Sequence, residues 1–160
     1  MSEKYNSKVV EKKWQSYWSD HQLFESKIVS DKKKYYILEM FPYPSGKIHM
    51  GHVRNYVIGD INARYHKLKG DDVIHPMGWD AFGLPAENAA IQFNTHPQDW
   101  TMKNIQNMKD QLQKLDLDLN WDRELATCNQ DYYRYQQELF IDFYNADLAY
   151  KKDALVNWDP

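Results

Sequence analysis

Hydrophobic and polar positions recur with helical spacing in the first twenty residues of the chain. Val10, Trp14, Tyr17 and Trp18 lie on one side of the predicted helix, with charged residues between them. This spacing predicts an amphipathic helix whose aromatic face packs against the rest of the chain. We assign residues 1–33 to an N-terminal helical segment that precedes the main domain.

The pattern changes to that of a strand in the middle of the first half. Residues 35–41 are rich in β-formers, and a loop with two prolines and a glycine follows them. Helical spacing then covers residues 53–69, and Gly70 is a natural stop. Residues 72–75 predict a second strand. Because a strand, a crossover helix and a strand give parallel pairing, the sequence predicts an α/β fold with a parallel sheet.

The second half of the chain predicts helices and one last strand. Residues 77–85 read as a loop, and proline at its end is well placed to begin a helix that reaches Phe93. Another helix is predicted over 97–114, and a third begins near Gln130. The inner side of the second of these helices carries Trp100, Ile105, Met108 and Leu112. Residues 148–158 predict a strand, and we expect the domain, residues 34–160, to be incomplete after it.

Composition narrows the class of protein. Hydrophobic residues make up 42% of the chain and aromatic residues 15%, which argues against a disordered chain. The formal net charge of −3 argues against a general polyanion binder. No stretch approaches the ~18 apolar residues of a membrane span, and the N-terminus lacks the apolar core of a signal peptide. With Cys128 as the only cysteine, we expect a cytoplasmic protein without a disulfide or a cysteine-cluster metal site.

The junction between the first predicted strand and helix is the strongest candidate for chemistry. Ligands of open α/β sheets bind beyond the carboxyl ends of strands, where a helix N-terminus presents free N–H groups. Here His49 and His52 flank Gly51, without the glycine pattern of a P-loop or a dinucleotide-binding turn. On spacing alone, the two histidines fit surface or core positions, a metal pair, or a phosphate site. A metal would need further ligands, and no other histidine has a partner spacing.

Two long blocks of the sequence resemble the class I aminoacyl-tRNA synthetases, in the form found in leucyl-tRNA synthetases. The first block runs from Met40 to Asp60, and the second from His75 to Asn88. Shorter matches are spread over nearly all 160 residues. The resemblance covers only the N-terminal part of such an enzyme. It implies a Rossmann-like parallel sheet with flanking helices, which forms the first half of the catalytic domain.

The resemblance also implies an activity and a set of site residues. Leucine would be activated with ATP and Mg²⁺ to leucyl-adenylate, and the leucyl group would pass to tRNA(Leu). His49 and His52 would be catalytic, stabilising the α-phosphate as the leucine carboxylate attacks. The residues implied to bind ATP are Pro42, Tyr43, Pro44, Ser45, Gly46, Lys47, Ile48, His49, Met50, Gly51 and His52. The residues implied to bind leucine are Met40, Phe41, Tyr43 and Asp80, the last through the ammonium group.

Several parts of the family have no counterpart in these residues. The lysine-rich loop that clamps pyrophosphate, the editing insertion and the anticodon-binding region would all follow position 160. We therefore expect tRNA to bind through regions outside this sequence, and the chain alone to be nearly inactive. Many relatives have cysteine where Asp159 stands, so we expect no zinc. The alternatives are a non-catalytic tRNA- or protein-binding module derived from a synthetase, and another small nucleotidyltransferase.

Overall fold

The structure is a computed structural model that describes residues 4–27 and 31–157. Its helices are α1 (Ser7–Asp20), α2 (Met50–Leu68), α3 (Leu84–Gln92), α4 (Pro97–Gln113) and α5 (Gln130–Asn145). Its strands are β1 (Lys34–Tyr36), β2 (Asp72–Ile74), β3 (Pro76–Trp79) and β4 (Asn120–Ala126). No helix in the described part of the chain is long and apolar enough to span a membrane.

The first predicted unit, a strand, a helix and a parallel strand, is confirmed. Strand β1 pairs in parallel with β2, with Lys34 opposite Asp72, and α2 connects the two strands. The last backbone bond of this ladder runs from the Ile37 N–H to the Ile74 carbonyl at 2.9 Å. The β1 strand is therefore shorter than predicted, and residues 38–42 continue without regular ladder pairing.

Residues 72–79 form a central extended segment that changes its neighbour at His75. Strand β3 pairs in parallel with β4, and the His75 carbonyl accepts from the Asn120 N–H at 2.8 Å. The preceding carbonyl, on Ile74, faces β1 instead. Because successive carbonyls of an extended chain point to opposite edges, β1 and β4 lie on opposite sides of this segment. The structure thus holds two short parallel pairs that share one central chain.

The loop predicted over 77–85 is wrong for its first part, which is strand β3. Proline and glycine there suppress the local strand signal. Tertiary packing overrides that signal, since Met77, Gly78 and Trp79 are all buried. A Cβ atom on Gly78 would lie 2.5 Å from the Phe41 ring. Glycine is therefore required by the close packing of β3 against the segment that carries Phe41.

The other two differences also concern strands. Sequence reasoning missed β4, whose polar residues look unlike a buried strand but have partners. Trp79 Nε1 donates to Glu124 Oε1 at 2.8 Å, and Arg123 Nε donates to Ser26 Oγ at 3.1 Å.

Conversely, the final strand predicted over 148–158 is wrong as far as residue 157, because no strand of the described residues pairs with it. Trp158 itself lies outside the described residues.

The main core lies between the β3–β4 pair and helices α2 and α4. Its buried members are Tyr56, Met77, Trp79, Ala81, Ile105, Met108, Leu112, Leu117, Leu119 and Ala126. The prediction for α4 is confirmed at its three apolar positions after the first turn. At the first turn, however, Thr101 is buried and Trp100 only half-buried, so the inner face is rotated slightly from the predicted one.

Helix α1 packs on the domain through only part of its aromatic face. The Trp18 ring lies 5.5 Å from the Phe24 ring, and the Arg64 guanidinium of α2 stacks over Trp18 at 5.3 Å. Trp14 and Tyr17 are more than two-fifths exposed, so the prediction holds at Trp18 but not for the whole face. The cation–π contacts place the N-terminal segment against α2. The boundary at residue 33 stays a prediction.

Candidate functional site

Two histidines cap the N-terminus of α2. His49 is the N-cap residue, and its Nδ1 accepts a hydrogen bond from the Gly51 N–H at 3.1 Å. In return, Nδ1 of His52 accepts from the His49 N–H at 3.1 Å. This is a capping box in which imidazoles replace the usual hydroxyl and carboxylate. Because each Nδ1 accepts, the proton of each neutral ring is on Nε2, which is then a donor.

The glycine between the two histidines is required by this cap. A Cβ atom on Gly51 would lie 2.8 Å from Cε1 of His49, closer than atoms pack in proteins. The ring centroids of His49 and His52 are 3.9 Å apart, and His49 is exposed while His52 is half-buried. Burial lowers the pKa of His52 below its usual value, and the neighbouring His49 lowers this pKa further. Both effects favour the neutral ring of His52, with its N–H at Nε2.

The loop before α2 is held by amide side chains of α4. The Ile48 N–H donates to Gln111 Oε1 at 3.0 Å, and Asn107 Nδ2 donates to the Gly46 carbonyl. Gly46 has φ of +117°, a conformation that favours glycine. Among the other predicted ATP residues here, Pro42 and Pro44 are buried, whereas Ser45, Lys47 and Met50 are exposed. The loop is thus fixed to α4 at Gly46 and Ile48, and it exposes Ser45 and Lys47 to solvent.

The residues predicted to bind leucine come together at the carboxyl ends of β1 and β3. The Asp80 N–H donates to the Pro42 carbonyl at 3.1 Å, which joins the two segments. The Tyr43 hydroxyl accepts from the Ala86 N–H at 3.0 Å and so fixes the first turn of α3. Phe41 is half-buried on the flat surface left by Gly78. This arrangement supplies an apolar floor with a carboxylate beside it.

The site is open on one side. The Met40 side chain is 81% exposed, and Asp80 is exposed as well. Within residues 4–27 and 31–157, these side chains do not form an enclosed pocket around a leucine-sized ligand. A further wall is needed to exclude water from the carboxylate and the apolar floor.

Sequence reasoning missed Tyr56, which connects the two halves of the site. Its hydroxyl donates to the Met40 carbonyl at 3.1 Å, and its ring lies parallel to the His52 ring at 6.4 Å. Tyr56 is 1% exposed, and its pKa is raised by burial and by the nearby Glu39 carboxylate. Tyr56 of α2 therefore connects the segment at Met40, which follows β1, to the histidine pair. The only sequence signal was that Tyr56 and His52 are one turn apart.

Sequence reasoning also missed a buried contact beneath Met40. The Glu39 carboxylate lies 3.1 Å from Nε2 of His75, and both side chains are at least nine-tenths buried. A Cβ atom on Gly59 would lie 1.5 Å from Glu39 Oε1, so α2 has glycine where the carboxylate enters. An isolated glycine inside an otherwise helical pattern is the signal that reveals such a close approach.

The described residues contain no cluster of three or more histidine, cysteine, aspartate or glutamate side chains that would hold a metal ion. The loop 42–52 contains no carboxylate, so it offers Mg²⁺ no side-chain ligand of the kind this ion prefers. Mg²⁺ does not fit this part of the chain as a resident metal. Asp159, the position considered for zinc, lies outside the described residues.

Most of the chain matches a known protein family. Residues 35–160 match the family model described as tRNA synthetases class I (M). The chain therefore belongs to the class I tRNA synthetases. A parallel α/β unit with a histidine-capped helix after its first strand agrees with this assignment.

The particular relatives are leucine–tRNA ligases. The chain is 59% identical over 160 residues to the leucine–tRNA ligase of Geobacter sp. strain M21, and 60% identical over 160 residues to that of Crocosphaera subtropica. Each comparison covers 100% of this chain and 19% of the relative. The predicted resemblance to leucyl-tRNA synthetases is confirmed. The chain spans about a fifth of the length of these curated relatives.

A solved structure shows the same fold. The chain matches a crystal structure described as a ternary complex of LeuRS, tRNA and LeuAMS from Agrobacterium radiobacter K84, with a TM-score of 0.90 and 47% identity. The match covers 98% of this chain and 20% of that chain. The mixed α/β fold with short parallel pairs is therefore that of a leucyl-tRNA synthetase catalytic region.

Proposed function

We propose that this chain is the N-terminal ATP- and leucine-binding part of a leucine–tRNA ligase, with a Rossmann-like sheet that is completed outside these residues. The observation that carries the proposal is the juxtaposition at the carboxyl ends of β1 and β3. The N-terminus of α2 presents two imidazole Nε2–H donors. The same helix carries Tyr56, which contacts the Met40 segment. The Asp80 N–H fixes that segment beside a free-standing carboxylate.

The helix end supplies donors for ATP. A helix N-terminus carries partial positive charge, and the two imidazoles add directed N–H groups at Nε2. Residues 42–52 would contact ATP, with His49 and His52 donating to the α-phosphate. Negative charge increases on the α-phosphate oxygens when the leucine carboxylate oxygen bonds to phosphorus and pyrophosphate leaves. Donors already fixed by the cap stabilise that charge without reorganisation.

The strand ends supply the contacts for leucine. Asp80 would pair with the ammonium group, while Met40, Phe41 and Tyr43 would contact the aliphatic side chain. An ion pair beside an apolar floor selects a free amino acid with an apolar side chain. With the ammonium group at Asp80, the leucine carboxylate is free to face the α2 N-terminus.

The remaining functions belong outside the chain. The exposed Met40 and Asp80 need a covering wall. We assign the tRNA contacts and the pyrophosphate clamp to parts of the relatives that this chain does not cover. Mg²⁺ would be bound by the phosphate oxygens of ATP and by water, since the loop offers it no carboxylate. A cytoplasmic location follows from this function and stays a prediction.

The test is ATP–pyrophosphate exchange that depends on leucine. We expect near-background exchange by the chain alone, and leucine-dependent exchange when the remaining four-fifths of a relative is supplied as a separate polypeptide. Valine, which has one methylene fewer than leucine, is the control, because a hydrophobic pocket discriminates one methylene by only roughly 1–3 kcal/mol. Retained tRNA binding with no exchange after complementation would favour the non-catalytic module. Robust exchange by the chain alone would contradict the need for the missing part.

A further inference from the structure

The Glu39–His75 contact leaves a buried polar atom of each side chain without a hydrogen-bond partner among the described residues. The Glu39 carboxylate is buried against α2, and its Oε1 has no hydrogen-bond partner among the described residues. Its Oε2 lies 3.1 Å from His75 Nε2, without the alignment of a hydrogen bond. Burying a carboxylate is costly unless an opposite charge compensates it. A glycine at position 59, in a helix interior where alanine is favoured, makes room for this carboxylate.

His75 is held rigidly by β4. Its Nδ1 lies 2.6 Å from the Asp118 carbonyl, and because a carbonyl only accepts, Nδ1 carries a hydrogen. The His75 backbone N–H donates to Asn120 Oδ1 at 2.6 Å, and its carbonyl accepts from the Asn120 N–H at 2.8 Å. The ring is fully buried and has one available nitrogen, which faces Glu39.

The pair is located where regular strand pairing stops. The last ladder bond joins Ile37 to Ile74, and beyond it the chain is held by single contacts. Tyr56 donates to the Met40 carbonyl, and the Asp80 N–H donates to the Pro42 carbonyl. Glu39 lies between these contacts and the ladder, directly before the segment assigned to leucine.

We propose that Glu39 and His75 are positioning residues, which hold the Met40–Tyr43 segment at a fixed distance from Asp80. The pair takes the place of ladder hydrogen bonds and connects this segment, through His75, to β4. This inference rests on the proposed function for its consequence, since that segment would contact leucine. The pair itself touches no substrate.

The experiment measures amide hydrogen exchange of the isotope-labelled 160-residue chain by NMR. The Asp80 amide reports on its bond to Pro42, and the Thr127 amide, bonded to the Trp79 carbonyl at 3.0 Å, is the internal reference. Glu39→Ala removes the carboxylate, and Gly59→Ala expels it by placing a methyl group there. We expect either variant to lower protection of the Asp80 amide roughly tenfold and to leave Thr127 unchanged.

Two further variants separate positioning from general loss of stability. Glu39→Gln keeps the shape and should retain more of the Asp80 protection than Glu39→Ala does. Asp71→Asn removes the carboxylate from another histidine pair, His66 Nδ1 to Asp71 Oδ2 at 2.6 Å, and should leave Asp80 unaffected. Unchanged Asp80 protection in both Glu39→Ala and Gly59→Ala overturns the proposal.

A measurement on the unmodified chain applies if those variants do not fold. Nuclear Overhauser contacts between the His75 ring and the Glu39 side chain are expected, and their absence overturns the proposal. In the complemented enzyme, Glu39→Ala should raise the KM for leucine about tenfold with a smaller change in kcat. The NMR measurements need no ATP or leucine. Absence of leucine activation by the complemented enzyme would therefore refute the proposed function and leave the positioning pair to be judged by amide hydrogen exchange.

Discussion

Nδ1 of His52 accepts a hydrogen bond from the backbone N–H of His49 at 3.1 Å, and the two rings lie 3.9 Å apart. The second histidine of the pair thus stabilises the helix and, by the same bond, fixes which of its nitrogens carries a proton. Structure and proposed chemistry therefore depend on the same imidazole ring, the first through Nδ1 and the second through Nε2. Substitutions at this position can separate the two roles.

Two substitutions of His52 should differ in stability but not in activity. His52→Glu keeps a side-chain acceptor for the His49 N–H, whereas His52→Ala loses it and should cost about 1 kcal/mol of unfolding free energy. Neither an ionised Glu nor Ala has a side-chain N–H donor, so leucine-dependent exchange by the complemented enzyme should fall on the order of 10²–10³-fold in both variants. Urea unfolding and exchange assays measure the two effects. Exchange at the unmodified rate in His52→Glu would remove His52 from the catalytic role.

Stability should decrease as the pH falls below about 6.5. Burial and the neighbouring His49 lower the pKa of His52 below the ordinary histidine value of 6.5, so just below that pH the unfolded state binds more protons than the folded state. The free energy of unfolding therefore rises with pH in this range, and the contribution of His52 to it is lost on acidification. Urea denaturation between pH 5 and 7.5 measures the slope. His52→Gln should flatten it, and an equal slope in that variant would show that other groups are responsible.

Asp80 should affect leucine binding without affecting stability. Its side chain is exposed, so Asp80→Ala should change the unfolding free energy by less than about 0.5 kcal/mol. A hydrogen bond to a charged group contributes roughly 1.5–3 kcal/mol, which corresponds to a roughly tenfold to hundredfold rise in the leucine KM. Asp80→Asn, which keeps the shape, should show most of that rise. The KM for ATP is the internal control, and an unaltered leucine KM would contradict the assignment.

Helix α5 should be part of the contact with the missing region. No residue of α5 is buried, and Phe140 is 60% exposed. Phe140→Glu should leave the stability of the chain within about 0.5 kcal/mol and abolish complementation. Gln137→Glu adds the same charge on the same helix at an exposed polar position and should complement normally. Equal complementation by both variants would exclude the Phe140 surface from the contact.

Local sequence patterns predicted the helices well and the strands poorly. The helical spacing before Gly70 corresponds to α2, and the apolar positions of α4 are buried as expected. Helices bond within themselves, so their signal is local. Strand β3 contains proline and glycine, and β4 is polar, yet both are strands because each supplies the other with backbone partners. No local pattern contains that information.

In the candidate site too, the features within one stretch of sequence were predicted and the contacts between distant residues were not. The sequence located the histidine pair after the first strand and, through the resemblance, the residues assigned to leucine. It did not reveal that Tyr56 contacts Met40, or that Glu39 and His75 meet beside Gly59. These contacts join residues from 16 to 36 positions apart, on different elements.

The sequence by itself determined the helix positions, the crossover unit and the family, because periodicity and long matching blocks are carried by neighbouring residues. Only the tertiary structure decided the neighbours of the central extended segment and the burial of the Glu39 carboxylate against His75. Those properties depend on groups that folding brings together across the chain. Their free energies arise from burial and from specific donor–acceptor pairs that local pattern does not encode.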